Sequence, residues 1–314
     1  MRYMAYETKQ KEYGLKLIKE GFFDGDLGGG FFKYRGEMIM CLHILQNRLN
    51  NLYPSIREEV LNYFKENKIT WWGGKKPTGN ILSSQTACLN HLFPIRNDKS
   101  AVLNLLKSIS DNFIDVFPID EKLKGYIQFE AVGGDENLLN EGTNTRGSQC
   151  TSIDALIYAK HRDGRKFLIP IEWKYVERYY NEDKSIGSKG DERKSRYVHL
   201  IRESQYLIYD NTLSCCWLEP FYQLMRQTLW AEQMLIHKPT GFEADDYMHI
   251  HVIPDGNKEL LNKSYPCSNK NMEATWKNCL KDTSKYLVIS PEKLFAMQNK
   301  ETDLYKYLQK RYWQ

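Results

Sequence analysis

No Cys-x-x-Cys pair occurs among the seven cysteines (Cys41, Cys88, Cys150, Cys215, Cys216, Cys267 and Cys279). This argues against a zinc knuckle, and the odd count with no pairing pattern argues against a disulfide framework. Reduced thiols in a cytoplasm are therefore expected, with Cys215 and Cys216 buried rather than reactive because no activating neighbour is in view. No run approaches the ~18 apolar residues of a membrane span, and the opening MRYMAYETKQKEYG has no apolar export region. A cytoplasmic protein that does not enter a membrane is the expectation. An excess of one charge is also missing, since 44 Lys and Arg face 40 Asp and Glu for a net +4. That balance permits an anionic partner without requiring one. Two signatures are incomplete. WWGGKKPTGNILSSQ (residues 71–85) has Asn80 and Ile81 where a nucleotide-binding Walker A motif needs Lys and Ser or Thr. GFFDGDLGGGFFKYRG (residues 21–36) lacks the third acidic position and the closing Glu of a calcium loop, so Asp24 and Asp26 read as turn formers. Neither internal repeats nor low-complexity tracts occur.

With 41% apolar and 27% charged residues, the chain has the composition of a folded globular protein. Three- and four-residue apolar spacing predicts helices over residues 7–20, 37–49, 55–66 and 101–114, Pro54 opening the third. The six-glycine stretch between the first two reads as a loop. Trp71, Trp72, Lys75 and Lys76 could stack on bases, although a tryptophan pair beside glycines reads better as a packing anchor. From about residue 120 the pattern turns to strands, at 126–132, 151–160 and 166–176. A polar loop (177–196), helices at 197–208 and 220–236, and a strand at 247–253 follow. His249 and His251 share a face of that strand, but no third ligand is near, so they read as structural. TDLYKYLQKRYW closes the chain as a helix. The expected architecture is α/β: a mainly helical N-terminal region (1–120), a mixed-sheet core with flanking helices (121–256) and a C-terminal extension (257–314).

The chemistry concentrates around HRDGR, the turn between the second and third strands. If these strands pair as a simple hairpin with Lys160 facing Lys166, Asp154 falls opposite Glu172. Opposed residues share a face with Cβ atoms about 4.5 to 5.5 Å apart. Lys174 points the same way, and a β-bulge would break the arithmetic. Two carboxylates so close repel unless a cation neutralises them. Mg²⁺, with Mn²⁺ as substitute, suits one or two carboxylates, several waters and a substrate phosphate. Such an ion polarises a phosphodiester and acidifies a bound water, while Lys174 would orient that water and offset charge on the phosphorus centre. The competing reading is a surface ion-pair cluster. Against it, these charges interrupt the apolar run 167–171, next to which an uncompensated charge is costly.

Asp154, a hairpin, and then Ile171-Glu172-Trp173-Lys174 resemble the PD-(D/E)XK nuclease superfamily. The strings IPIEWKYVERYY, EPFYQLMRQTLWAE and SSQTACLNHLFPIR are similar to a family of bacterial restriction-endonuclease-like proteins, over about residues 71–255. The resemblance implies a restriction-endonuclease-like fold and metal-dependent cleavage of DNA, with Asp154 and Glu172 as metal ligands and Lys174 as the catalytic lysine. Ile153 stands where that superfamily often has proline. A further glutamate from an upstream element is also implied, and Glu130 and Glu141 are both candidates. The helix after the lysine strand often brings polar residues to the site, so Gln223, Arg226 and Gln227 would hold a phosphate or order Glu172.

Lys184, Lys189, Arg193, Lys194, Arg196 and Arg202 follow the catalytic strand, where a bound nucleic-acid backbone would pass. Substrate contact is expected from Lys189, Arg193, Lys194, Arg196, Arg226 and Gln227. The leading expectation is a restriction or defence endonuclease acting on DNA, a homodimer being suited to a two-strand cut at a palindrome. The alternatives are a structure-specific or repair nuclease of the same fold, a non-catalytic nucleic-acid-binding protein, and a scaffold whose charges form only an ion pair.

Overall fold

A computed structural model describes residues 5–71, 74, 76–119, 125–133, 137–142, 150–239 and 243–314; Trp72 and Lys75 lie outside this set. In chain order the regular elements begin with helix α1 (Tyr6–Lys19), strands β1 (Gly30–Tyr34) and β2 (Glu37–Cys41), and helices α2 (Arg57–Glu66), α3 (Ser84–Leu92) and α4 (Lys99–Lys107). Strands β3 (Phe113–Phe117), β4 (Ile127–Ala131), β5 (Ile153–His161) and β6 (Lys166–Trp173) follow. Then come α5 (Gly187–Glu203), α6 (Tyr209–Cys215), α7 (Phe221–His237), β7 (Asp246–Tyr247) and β8 (His249–Val252). The chain closes with α8 (Lys258–Leu261), α9 (Met272–Cys279), β9 (Tyr286–Ile289), α10 (Pro291–Leu294) and α11 (Asp303–Tyr312).

Strands β3 to β9 form one mixed seven-stranded sheet, so the α/β class expected from the sequence holds. β5 pairs antiparallel with β6 along one edge, and β3 and β4 share its other edge. β6 pairs parallel with β8, and β8 with β9. The sheet draws β3 from before residue 121 and β9 from after residue 256. Burial alternates across it. Ala155, Ile157, Ile169, Ile171 and Trp173 pack with residues of α2, α3, α4 and α11. Leu156, Tyr158 and Leu168 pack with residues of α5, α6, α7 and α9. Both faces being covered, β5 and β6 read in the sequence as near-continuous apolar runs.

Several elements follow directly from local chemistry. Asp98 caps α4 by accepting from the backbone N–H of Ser100 and Ala101, and Thr302 caps α11 by accepting from Tyr305. Other expectations are corrected. Residues 37–49 are not a helix: β2 pairs with β1 in a hairpin turned by Arg35 (φ 49°) and Gly36 (φ 93°). Two successive positive φ values make the tight turn that matches strand twist. The glycine-rich stretch 21–36 is accordingly part strand. β3 occupies the end of the segment read as a helix to residue 114, and α5 begins inside the segment read as a loop to residue 196. Trp71 is buried and stacked on Phe64 at 3.8 Å, a packing role. Asp26 is a turn former, accepting from Gly28, Gln46 and Asn47. The expectation of uniformly reduced thiols is also corrected. Cys215 and Cys267 are joined in a disulfide with Cα atoms 5.5 Å apart. Fifty-two residues separate them, so only tertiary packing brings them together.

His91 and His249 are buried. His91 Nδ1 bonds to the Ala87 carbonyl at 2.7 Å and Nε2 accepts from Trp313 at 3.1 Å, the pattern of a neutral ring. Burial, the main cause in both, pushes His91 and His249 down from 6.5 to about 3. A histidine whose folded pKa is depressed contributes stability that is intact above 6.5 and lost as pH falls below it. Each should cost up to about 1.4 kcal/mol per pH unit. Thermal melting should therefore fall well before carboxylates titrate, between about pH 6.5 and 5, and His249→Leu should flatten that limb. A melting temperature constant through this window contradicts the assignment.

Candidate active site

The hairpin register needed by the sequence argument is present. Lys160 pairs with Lys166, and the register runs unbroken to Ala155 opposite Ile171, so the next pair along is Asp154 and Glu172. On the other edge of β5, Phe129–Ala155 and Ala131–Ile153 bracket Glu130 and Asp154. Glu130, Asp154 and Glu172 thus occupy one row across β4, β5 and β6. Glu130 has φ +48°, a left-handed conformation that costs a non-glycine residue about 1 to 2 kcal/mol and concentrates at functional sites. Its carboxylate accepts from Gln85 on α3 and from Ser152, both at 2.8 Å.

Glu172 is almost wholly buried, at 1% exposure, and is compensated on both oxygens. Lys174 Nζ donates to Oε1 at 2.5 Å, and Gln223 Nε2 donates to the same oxygen at 2.7 Å. Gln227 Nε2 donates to Oε2. Gln223 also accepts from Lys174 through its own Oε1 at 2.8 Å, so one amide orders acid and base together. Gln223 and Gln227 are one turn apart on α7, which places both on the face toward the sheet. Burial alone would lower the Lys174 pKa, but Glu172, Tyr179, Glu177 and Asp154 outweigh it and hold the ammonium well above its ordinary range.

Asp154 differs. One oxygen, Oδ2, accepts from the Trp173 backbone N–H at 2.8 Å. Burial, then the charges of Glu172 and Glu130, push its pKa well up, against the opposing pull of Lys174. A carboxylate with surplus negative charge beside it is a natural cation ligand. Among the described residues no group of three or more His, Cys, Asp or Glu side chains is disposed to hold a metal. An all-oxygen pair such as Asp154 and Glu172 nevertheless fits Mg²⁺, which needs only one or two carboxylates with water and phosphate completing its shell.

The two upstream glutamates are separated by the structure. Glu141 accepts from Arg226 Nε at 2.9 Å, from Thr151 Oγ1 at 2.8 Å, and also from Thr151 N and the Tyr197 hydroxyl. Burial would raise its pKa, but Arg226, Tyr197 and Thr151 together hold it below the ordinary value. It is a clamp between the strand entrance, α5 and α7, whereas Glu130 sits beside Asp154.

All these groups line one cleft of 880 Å³, with Ser83, Ser84 and Gln85 at the start of α3 on one wall and α5 and α7 on another. Lys189, Arg193 and Arg196 line it as expected. Arg193 donates to the Lys184 carbonyl and Arg196 pairs with Glu192, each at 2.8 Å. Lys194 is not among the lining residues and pairs with Asp191 at 3.6 Å. Arg226 reaches the cleft but is committed to Glu141, and Gln227 is committed to Glu172 rather than open to a ligand. His249 and His251 are buried on β8, His251 pairing in register with Glu172. Sequence reasoning missed Gln85, Ser152, Tyr179 and Tyr197. The available signal for Gln85 was a helix, SQTACLNHL, whose polar residues follow no solvent-facing stripe; Thr86, Asn90 and His91 are all buried.

These roles make opposite demands on two substitutions. Glu141→Gln should lower stability by about 2 kcal/mol, the partly exposed Arg226 keeping the loss below that of a fully buried pair, and leave divalent-cation affinity unchanged. Glu130→Gln should weaken cation binding by titration calorimetry with little loss of stability. The reverse pattern would exchange the two assignments.

A family model described as a restriction endonuclease associating with ARP matches residues 14–313, nearly the whole chain. No curated protein and no solved structure matches it.

Proposed function

The chain belongs to this restriction-endonuclease family, and from that membership we propose that it is a divalent-metal-dependent DNA endonuclease of restriction or defence, with Asp154, Glu172 and Lys174 as its catalytic core. The observation that carries the reading is the row of carboxylates on three adjacent strands, with a buried lysine two residues beyond Glu172, at the floor of a cleft edged by cations.

Asp154 and Glu172 would hold the Mg²⁺, with Mn²⁺ as substitute. The ion supplies a polarised phosphate and an acidified water at neutral pH. The remaining work belongs to the chain. Lys174, kept charged by the acids around it, orients the attacking water and offsets charge growing on the phosphate oxygens. Gln223 and Gln227 keep the Glu172 carboxylate in one plane, and Gln223 holds Lys174 beside it. Glu130, anchored by Gln85 and Ser152, would orient a water at Asp154. Lys189, Arg193 and Arg196 on α5 bind backbone phosphates along the cleft wall, giving salt-dependent affinity. Lys194, which does not line the cleft, and Arg226, which is held by the buried Glu141, contribute less. Association with ARP, named in the family's description, and a homodimer for two-strand cutting are parts of the same reading.

Plasmid and linear DNA incubated with Mg²⁺, Mn²⁺ or EDTA provides the test. Cutting should require the metal and fall by about a hundredfold or more in Lys174→Ala and Glu172→Ala. Discrete fragments would support sequence specificity, whereas persistent inactivity of the folded chain on varied DNA would sink the enzyme reading. Because Lys174 occupies an oxygen of the Glu172 carboxylate that would hold the cation, Lys174→Met should lose cleavage while binding Mn²⁺ at least as tightly as the native chain. Asp154→Asn should bind it more weakly. Loss of the binding isotherm in Lys174→Met would contradict the competition.

A further inference from the structure

The β1–β2 hairpin lies outside both cores and takes no part in the site described above. Its residues 31–33 and 35–40 are exposed. In the register Phe31–Met40 and Lys33–Met38, these four side chains share one face, since opposed residues point the same way. Phe31, Met38 and Met40 are each more than half exposed, at 52%, 59% and 60%. Isolated apolar residues on a surface need no explanation, but a contiguous set on a projecting ribbon does. The hairpin's one carboxylate, Glu37, pairs with Tyr34 and belongs to the opposite face. The face of Phe31, Met38 and Met40 therefore carries Lys33 and no acid, with Arg35 at the turn.

The root of the arm is fixed. Asp26 accepts from the backbone N–H groups of Gly28, Gln46 and Asn47, and Gln46 donates to the Gly28 carbonyl. Gly30 N donates to Ile44 O at 2.7 Å, Leu45 N to Gly79 O at 2.9 Å, and Ile81 N to His43 O at 3.2 Å. The root passes so close to the returning chain that a Cβ on Gly28 would lie 2.1 Å from the Leu42 carbonyl oxygen. Residues 78–82 thus hold the hairpin on one side, while Thr78, Asn80 and Leu82 line the catalytic cleft on the other.

We propose that this hairpin is a DNA-contacting arm, inserting the Phe31, Lys33, Met38 and Met40 face into a groove of the duplex whose backbone lies in the cleft. The proposal rests on the nuclease reading and adds a second contact surface to it. A major groove about 12 Å wide admits a two-stranded ribbon. The acid-free cationic face is complementary to phosphate, which places Lys33 and Arg35 on the groove walls. Apolar side chains then meet thymine methyls or wedge a base step. Attachment to the wall of the cleft fixes the distance between the groove contact and the cut, which a nuclease with a defined cleavage position requires.

The test is binding of a fluorescently labelled duplex in EDTA, measured over a range of salt, with cleavage in Mg²⁺ alongside. Lys33→Ala/Arg35→Ala should weaken binding on the order of tenfold near 0.1 M salt and reduce the slope of log affinity against log salt by about 2. Phe31→Ser/Met40→Ser should weaken binding with the salt slope unchanged. These side chains touch no core, so melting temperatures should stay at the native value and exclude misfolding. If the native chain cuts DNA while both variants bind as it does, the arm is overturned and the nuclease reading stands. If the apolar variant binds DNA normally but lowers the native chain's mass in light scattering, the face belongs to a second copy and the proposal fails. A native chain that neither binds nor cuts DNA overturns both.

Discussion

Everything near the cleft depends on accommodating one carboxylate inside a protein. Glu172 lies at the end of a strand buried on both faces, where an isolated carboxylate would cost several kcal/mol. Its two oxygens are satisfied by three donors, Lys174 from the same strand end and Gln223 and Gln227 from α7. That requirement determines which face α7 turns to the sheet. It also accounts for two glutamines at this spacing on a helix packed into an apolar core, Gln227 buried and Gln223 half-buried. The lysine is kept charged by the same acids it neutralises.

The cleft contains two kinds of carboxylate, distinguished by what compensates them. Glu141 is enclosed by Arg226, Tyr197 and Thr151 and sits below its ordinary pKa, so its charge is spent on joining three elements. Asp154 has one backbone donor and two acidic neighbours, and sits above its ordinary pKa. The same functional group therefore serves as a strut in one place and stands among repelling charges in the other. The left-handed backbone at Glu130 belongs with the second kind, because Gln85 and Ser152 hold its side chain at the edge of β4 beside Asp154.

The two cores divide the tasks. The α2, α3, α4 and α11 side is largely apolar and locks the end of the chain through Arg311, whose guanidinium is buried against Asn51 and Tyr307. On the other side α5 and α7 bring polar residues to the site, and Gln85 at the start of α3 reaches it from the first. The candidate site thus rests on the sheet, with the α3 N-terminus and α5 forming walls above it.

Sequence patterning located the strand pair around the HRDGR turn, and given an unbulged hairpin it set Asp154 opposite Glu172; the structure keeps that register from Lys160–Lys166 to Ala155–Ile171. It also determined the α7 and α11 helices and the α/β class, whose signals are local and periodic. It could not determine residues 37–49, where apolar residues fall at nearly every position and the turn at Arg35 and Gly36 carries the information instead. Nor could it give the surroundings of Glu130 and Glu141 or of Arg193 and Lys194, or foresee that Cys215 meets Cys267. Each of those was decided by which side chains distant elements bring within a few ångströms, and no spacing along the chain records that distance.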